Sequence, residues 1–359
     1  MKYPFGNDPA KINGYKKFWN RGAVRRPLVG FSFKSWLPLY EYHASSIWPT
    51  DTYLTPNMIR PEDFLEDQVK LLSEGVTMDD DILRGASAIQ SVFWGDGILG
   101  CKMRVLPGTV VAEPQNLEWS QIYDVSFDHE SPWYKKYISF TKVLMEYSAG
   151  RFPVSHGTLN GPIDYAVSLR GHEQIVMDLM LDPEPAVSLI KRMGTYFVDL
   201  TKEVWNHIPL FHGGYYDAQY NLWAPSSICR LQEDAIAVLS PELYRKYMRP
   251  VDEWICSNFS SPFIHLHATS MIVLDDMLEI PSLNCYEVNN DVGCGLPVSW
   301  LVPHLQKIQK AKKCLLVRGS FTADEMRLLM DSLDPAGLYL YVMISDMKEA
   351  ETLRPLVGM

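Results

Sequence analysis

Two histidines one residue apart are the side chains in this sequence whose spacing best suits metal chemistry. His265 and His267 lie in the run Pro262-Phe-Ile-His-Leu-His-Ala-Thr-Ser270, an apolar segment typical of a buried strand. Because side chains alternate across a strand, both imidazoles point to one face and Leu266 points to the other. Two nitrogen ligands on one face can begin a metal site, and the alternative is a pair of hydrogen-bonded core histidines.

Three further polar residues directly follow or end short apolar runs that we predict as strands. Asn160 and Asp164 follow the run at residues 152–157, and Asp217 ends the run at residues 210–217. In an α/β barrel, the active-site groups follow the carboxyl ends of the strands. We therefore expect these three residues to orient a substrate, whereas Asn and Asp that simply form turns are the alternative.

The elements that must position these residues alternate between strand and helix along most of the chain. The first buried strand is predicted at residues 26–33, after an N-terminal helix at residues 9–20. Later apolar runs at residues 283–288, 314–318 and 337–344 alternate with helical periodicity, which indicates a parallel sheet. With 359 residues and no change in composition, the chain is predicted to be one α/β domain over residues 1–359. The economical architecture is a single (β/α)8 (TIM) barrel with an N-terminal helical extension.

A long aromatic loop is predicted after the first strand and extends to about Pro61. Connections of this length often act as functional loops or lids. Together with later aromatic residues, the loop could line a mouth suited to an aromatic or otherwise apolar small molecule. Packing over the rim of the core is the alternative. The predicted substrate-binding residues are Trp36, Tyr40, Trp94, Tyr215 and Tyr216.

Composition excludes several classes of partner. The formal net charge of −10, from 33 Lys and Arg against 43 Asp and Glu, leaves no basic excess for nucleic acid. The start of the sequence lacks the apolar core of a signal peptide, and no 18-residue apolar run predicts a membrane span. Six scattered cysteines without a Cys-x-x-Cys pair favour reduced thiols. We therefore expect a cytoplasmic protein.

Three stretches resemble the uroporphyrinogen decarboxylase-like superfamily. They are Leu239-Ser-Pro-Glu-Leu-Tyr-Arg-Lys-Tyr-Met-Arg-Pro250, His265-Leu-His267 and Asn160-Gly-Pro162. The resemblance extends over most of the chain and is strongest from about residue 150 onward. It implies a (β/α)8 barrel with its site in the mouth. The superfamily includes uroporphyrinogen decarboxylases and cobalamin-linked methyltransferases, so the fold alone does not settle the activity.

The decarboxylase alternative requires cations for a substrate with eight carboxylates. Decarboxylases of the superfamily carry an Arg-Gln-Ala-Gly-Arg motif just after the first strand. The corresponding stretch here, Phe31-Ser-Phe-Lys-Ser-Trp-Leu-Pro38, has one lysine and no arginine. An acidic protein without those cations would bind an octa-anion poorly.

The sequence fits the methyltransferase branch of the superfamily better than the decarboxylase branch. It departs from the pattern of that branch at the metal ligands. Its members bind zinc through His-x-Cys on this strand and a late cysteine, so His267 here replaces a thiolate. The resemblance implies Glu287 and Asp346 as the remaining ligands, although Glu287 could instead be the partner of a histidine ring. Such a set suits zinc or another divalent metal.

The leading hypothesis is therefore metal-activated demethylation of a small donor, such as a methoxylated phenol. The methyl acceptor would be a corrinoid on a partner protein, since no cobalamin-binding module is evident in the chain. A barrel that binds a small ligand without metal is the remaining alternative.

Overall fold

The computed structural model describes residues 3–33, 38–123, 125–290 and 296–359. Its strands are β1 (Leu28–Ser32), β2 (Tyr53–Leu54), β3 (Ala86–Ser87), β4 (Lys102–Leu106), β5 (Thr109–Glu113), β6 (Val154–Ser155), β7 (Tyr215–Asp217), β8 (Leu222–Ala224), β9 (Ile228–Gln232), β10 (Ser261–Leu266), β11 (Cys285–Asn289), β12 (Cys314–Gly319) and β13 (Leu338–Met343).

The α-helices alternate with these strands over much of the chain. They are α1 (Ile12–Trp19), α2 (Leu65–Met78), α3 (Trp94–Ile98), α4 (Trp119–Ile122), α5 (Pro132–Ser148), α6 (Pro162–Arg170), α7 (His172–Leu181), α8 (Pro183–Asn206), α9 (Pro241–Leu243), α10 (Arg249–Ser257), α11 (Leu274–Leu278), α12 (Val298–Lys310), α13 (Ala323–Ser332) and α14 (Met347–Leu353). A π-helical turn, Tyr244–Met248, joins α9 to α10, and 3-10 helices at Asp234–Val238 and Ala268–Val273 follow β9 and β10.

Six parallel strands form the central sheet, in the order β1-β13-β12-β11-β10-β9. β3 and β6 form a separate parallel pair, and β2, β4 and β5 form an antiparallel sheet. The predicted mixed α/β class and parallel sheet are confirmed. The strand pairing does not show a closed barrel. Among the described residues, β1 and β9 are the two edge strands of the central sheet.

The central strands are buried along their length, which explains their nearly continuous apolar sequences. All six residues of β10 and of β12 are buried, as expected for a parallel sheet that helices cover. The carboxyl ends of parallel strands meet at one edge of a sheet. Because β9, β10 and β11 are neighbours, the residues that follow them are brought together there.

The predicted N-terminal helix is present as α1 and packs through buried Ile12, Tyr15 and Phe18. The segment after β1 contains short 3-10 helices and β2 among its described residues. Within the described parts of the chain, no helix is both long and apolar enough to span a membrane.

Candidate metal centre

The two histidines predicted as ligands face each other at the end of β10. His265 is the fifth residue of this strand and His267 directly follows its last residue. Their side chains share a face, as alternation along a strand requires, and their Nε2 atoms are 3.0 Å apart. A contact of this kind leaves both Nε2 atoms directed at the same small volume.

Asp234 supplies a third ligand atom to this volume. It begins the 3-10 helix that follows β9, and its Oδ1 lies 3.5 Å from His267 Nε2. One ligand atom from each of Asp234, His265 and His267 lies within 4.8 Å of the others. A tetrahedral zinc site with bonds of 2.0–2.1 Å places its ligand atoms about 3.3 Å apart. The separations of 3.0 Å between the two histidine Nε2 atoms and 3.5 Å between His267 Nε2 and Asp234 Oδ1 are close to this value.

The site is buried on one side and open on the other. The exposed fraction of the side chain is 5% for His265, 34% for His267 and 59% for Asp234. Burial would raise the pKa of Asp234, but the hydrogen bond with His267 and the charges of both imidazoles lower it overall. Asp234 is therefore an anion at neutral pH, and the side chains of Asp234 and His267 are accessible to solvent.

Glu287, predicted as a metal ligand, contacts the other nitrogen of the His265 ring. It pairs with His265 in the register of β10 and β11, and His265 Nδ1–H donates to its Oε2. A carboxylate on Nδ1 keeps the proton there and leaves the Nε2 lone pair for a metal. The structure thus favours the alternative that Glu287 is the partner of a histidine ring.

Tyr220 is a second contact of His265 Nδ1, with its hydroxyl oxygen 2.8 Å away. Two buried guanidinium groups lie near its ring, that of Arg230 at 5.7 Å and that of Arg318 at 5.6 Å from the ring centroid. Burial and the charge of Glu287 hold the pKa of Tyr220 well above its usual value, although both arginines oppose this. The hydroxyl therefore keeps its proton and helps to fix the imidazole.

Asp164 holds the turn that carries Asp234. Its carboxylate accepts hydrogen bonds from the backbone N–H groups of Asp234, at 3.0 Å, and Ala235, at 2.9 Å. Burial, followed by the charge of Asp234, raises the pKa of Asp164 to about 8. Both side-chain oxygens of Asp164 accept from the backbone and fix the turn that carries Asp234, and the substrate-orienting role of Asp164 stays a prediction.

Gly161 allows the segment before α6 to approach the end of β9. Its N–H donates to the Gln232 carbonyl at 2.6 Å, and a Cβ at this position would lie 2.2 Å from Cγ of Glu233. A larger residue would therefore push the two segments apart. This close approach explains the glycine in the Asn160-Gly-Pro162 stretch.

The side-chain amide of Asn160 is fixed by a hydrogen bond to a buried carboxyl group. Asn160 Nδ2 donates to Asp96 at 2.9 Å, and Ser168 Oγ donates to the other oxygen of Asp96 at 2.6 Å. Burial raises the pKa of Asp96 to about 7. The partly buried Asn160 is thus fixed in orientation beside the end of β9, and its substrate-orienting role stays a prediction.

Two predicted acids lie outside this cluster. Asp217 forms a buried ion pair with Arg230, 3.0 Å between Oδ2 and Nη1, and accepts from the Tyr220 backbone N–H. Asp346 is exposed and caps α14 by accepting from the backbone N–H of Glu349 at 3.0 Å. The sequence placed Asp346 near the last strand correctly, but its carboxylate serves the helix that follows and is not in the cluster.

Among the described residues, the aromatic rings predicted to bind a substrate pack against other parts of the protein or are exposed. Trp94 is buried and stacks on Tyr137 at 4.9 Å, Tyr216 is buried, and Tyr215 packs against Trp205 at 5.0 Å. The positions of these three rings favour the alternative that they pack in or over the core. Tyr40 is 75% exposed, and Trp36 lies outside the described residues.

Sequence analysis missed Asp234 and Tyr220. The position of Asp234, two residues after the end of β9, was a signal in the sequence, since strand ends carry site residues. Tyr220 follows β7, a short antiparallel strand, and nothing in its sequence context indicates a contact with His265.

Comparisons with known proteins identify the fold. No protein-family model matches the chain, and no curated protein sequence matches it. Among solved structures, it is similar to a methyltransferase from Methanosarcina mazei, with a TM-score of 0.60 and 11% sequence identity. The similarity covers 95% of this chain and 96% of that one. The chain therefore shares the fold of that structure along nearly its whole length.

Proposed function

We propose that this protein is a metal-dependent methyltransferase that moves a methyl group from a small donor to a corrinoid carried by a partner protein. The observation that carries the proposal is the convergence of Asp234, His265 and His267 at the carboxyl edge of the sheet. In this proposal the six strands of the central sheet and the parallel pair β3 and β6 together form a closed (β/α)8 barrel. The site lies at the mouth of that barrel. The similarity of fold to a methyltransferase supports the choice of reaction.

The chain's own residues would hold and orient the reacting centre. His265, His267 and Asp234 would bind a divalent metal such as zinc, with Glu287 and Tyr220 fixing the His265 ring. When bound, the metal supplies a Lewis acid for the atom that the methyl group leaves, an effect of several kcal/mol. The exposed side of His267 and Asp234 would admit the donor and allow the acceptor to approach.

The reaction balances with a Co(I) corrinoid as nucleophile. The bond between the methyl carbon and its donor atom breaks, and a carbon–cobalt bond forms with the electron pair of cobalt. Cobalt is formally oxidised from Co(I) to Co(III). The electron pair of the broken bond stays on the donor atom, which takes a proton.

The described aromatic residues and cysteines bear on the class of donor and on the location. The described rings that suggested a methoxylated aromatic donor pack in the core, face Trp205 or are exposed, so the proposal names only a small donor. The five described cysteines are buried and form no disulfide, which supports a reducing, cytoplasmic location.

Reconstitution tests this function. The purified chain is freed of metal, reloaded with Zn²⁺ and incubated with free cob(I)alamin and either methanol or 2-methoxyphenol. We expect methylcobalamin, followed by its absorption spectrum, from at least one donor. Formation should fall at least 100-fold in His267→Ala and stay within two-fold in the control Asp346→Asn. Equal rates in the wild type and His267→Ala would contradict the proposal.

A further inference from the structure

We propose that a polar cavity at the amino ends of β9, β10, β11 and β12 binds a small phosphate-bearing anion. β9 and β10 lead to the metal cluster at their carboxyl ends, so the cavity lies at the opposite edge of the central sheet. Its volume of about 390 Å³ is in the range of about 300–1,000 Å³ that is typical of small-molecule sites. This site is separate from the metal centre and does not depend on the proposed function.

The charged side chains that line the cavity are all cations. They are Arg21, Lys312 and Lys313, and none of the described lining residues is acidic. The protein as a whole has a formal net charge of −10, so the lining is opposite in sign to the rest of the molecule. A concave surface lined by one sign of charge concentrates ions of the other sign. The cavity therefore favours an anion.

Two of these cations are held by carbonyl oxygens, which position them without neutralising their charge. Lys313 Nζ donates to the carbonyls of Ile280, at 2.9 Å, and Pro281, at 3.0 Å, and Arg21 Nη1 donates to the carbonyl of Lys313. Burial lowers the pKa of Lys313, and no described carboxylate opposes this shift. An anion in the cavity would supply the counter-charge that the protein does not.

Cys314, which also lines the cavity, does not supply that charge either. Its thiol is buried and donates to the carbonyl of Phe18, with Sγ 3.2 Å from the oxygen. Burial raises the pKa of this thiol to about 12, although Arg21 and Lys313 lower it. The thiol is therefore neutral at physiological pH.

Neutral polar groups at the strand ends complete the lining. Ser226, just before β9, and Ser261, the first residue of β10, place their hydroxyl oxygens 2.7 Å apart. One hydroxyl donates to the other, and the accepting hydroxyl keeps its own hydrogen for a ligand. Asn284, just before β11, uses one amide N–H on the Ser260 carbonyl at 2.8 Å and has a second.

The donors that remain unused match the oxygens of a phosphate group. The ammonium group of Lys313 has three N–H groups and uses two on carbonyls, and the guanidinium group of Arg21 has five and uses one. Hydrogen bonds from such cations to phosphate are strong because both partners are charged. The ligand class is therefore phosphate, either as the free ion or as a monoester of a small organic molecule.

Helix ends provide an alternative reason for these cations. Arg21 and Lys312 each lie two residues beyond the last residue of a helix, α1 and α12 respectively, where positive charge stabilises the helix dipole. That role accounts for a cation near each helix end. It does not account for a cavity whose described lining lacks any acid, and the variants below separate the two roles.

Phosphorus NMR titration of the full chain at low ionic strength tests binding, with inorganic phosphate and glycerol 3-phosphate as separate probes. We expect saturable binding of at least one probe with a dissociation constant below about 1 mM. The constant should stay within about two-fold in His267→Ala, which changes the opposite edge of the sheet. Tighter binding of glycerol 3-phosphate would support a monoester as the ligand, and tighter binding of inorganic phosphate would support the free ion. Absence of saturable binding of both probes would overturn the proposal.

Two substitutions place the anion in the cavity. Lys312→Ala removes an exposed lining cation and should raise the dissociation constant by about ten-fold, whereas Lys312→Arg should restore most of the affinity. Asn20→Asp adds a carboxylate to the lining, keeps every cation and should also weaken binding. Urea unfolding confirms that each variant is folded.

The matched control is Lys310→Ala, which removes the same charge from the exposed end of α12 outside the lining. Its dissociation constant should stay within about two-fold of the wild type. An unchanged constant in Lys312→Ala, or equal losses in Lys312→Ala and Lys310→Ala, would overturn the placement of the anion in this cavity. Loss of stability in Lys312→Ala without loss of phosphate binding would show that the cation serves only the helix end.

Discussion

At the scale of single residues, the candidate site depends on how each histidine nitrogen is used. His265 turns Nδ1 toward Glu287 and Tyr220 and directs Nε2 at His267. One ring therefore links a buried polar network to an open cluster. The same division of nitrogens orients histidine ligands in many metalloproteins.

Replacing Glu287 with Gln should weaken metal binding without abolishing it. The amide would hold Nδ1–H less strongly and would make the imidazole a poorer donor. We expect the dissociation constant for Zn²⁺ to rise by about 10- to 100-fold. Competition with a chromophoric chelator measures it, and full occupancy should return at high Zn²⁺. An unchanged constant would show that Glu287 does not support the ligand.

Asp96 should make the stability of the protein depend on pH. Its pKa is raised to about 7 by burial, whereas an unfolded Asp has a pKa near 4. Between these values the folded state binds more protons, so the contribution of Asp96 to the free energy of unfolding falls as pH rises from about 4 to about 7. Each pKa unit corresponds to about 1.4 kcal/mol.

Asp96→Asn should remove this contribution. Urea unfolding at pH 5 and pH 8 should show that the wild type loses more stability between the two values than the variant does. Ser168→Ala, which removes one hydrogen bond to Asp96 and leaves the carboxyl group, is a matched control and should keep the pH dependence. Identical pH dependence in the wild type and Asp96→Asn would contradict this role.

The pair of histidines could be predicted from the sequence because alternation along a strand is a local rule. Asp234 could not be assigned in the same way, since its approach to His267 depends on the pairing of β9 with β10 and on the 3-10 helix that follows β9. Asp346 shows the opposite case. Its place after the last strand was predictable, but whether its carboxylate serves a metal or a helix N-terminus depends on side-chain direction.

At the scale of elements, the ends of three neighbouring strands assemble the site. β9 leads to Asp234, β10 carries His265 and leads to His267, and β11 carries Glu287. The parallel order of these strands was predictable from the alternation of apolar runs with helices. The packing of the aromatic residues was not, because the same ring can line a mouth or fill a core, and burial alone distinguishes the two.

Asp164→Ala should loosen the 3-10 helix Asp234–Val238, because two backbone N–H groups lose their acceptor. We expect the free energy of unfolding to fall by about 1–2 kcal/mol and Zn²⁺ affinity to fall with it. Asp164→Asn keeps one carbonyl oxygen and should lie between the wild type and Asp164→Ala in both. Chemical denaturation and chelator competition measure the two quantities. Weaker stability with unchanged affinity would mean that the turn does not position Asp234.

Asp346→Ala should affect a helix and leave the metal site intact. Losing the N-cap of α14 should cost about 1 kcal/mol in the free energy of unfolding. Metal content, measured after dialysis, should equal that of the wild type. A loss of metal would instead favour the ligand role implied by the superfamily resemblance.

At the scale of the whole molecule, the same architecture can serve several chemistries, so the fold and the site must be argued separately. The chain shares its fold with a methyltransferase over nearly all of its length at only 11% identity. At that distance the similarity fixes the arrangement of strands and helices. The activity depends on what the cluster at their ends can bind.

Metal stoichiometry tests the central claim most directly. The wild type and three variants, Asp234→Ala, His265→Ala and His267→Ala, are dialysed against equal Zn²⁺ and then against metal-free buffer, and bound zinc is measured by mass spectrometry. We expect about one ion per wild-type chain and at least a ten-fold loss in each variant whose circular dichroism shows that it is folded. A wild-type chain without bound zinc, or variants that retain it fully, would contradict the assignment of this cluster as a metal centre.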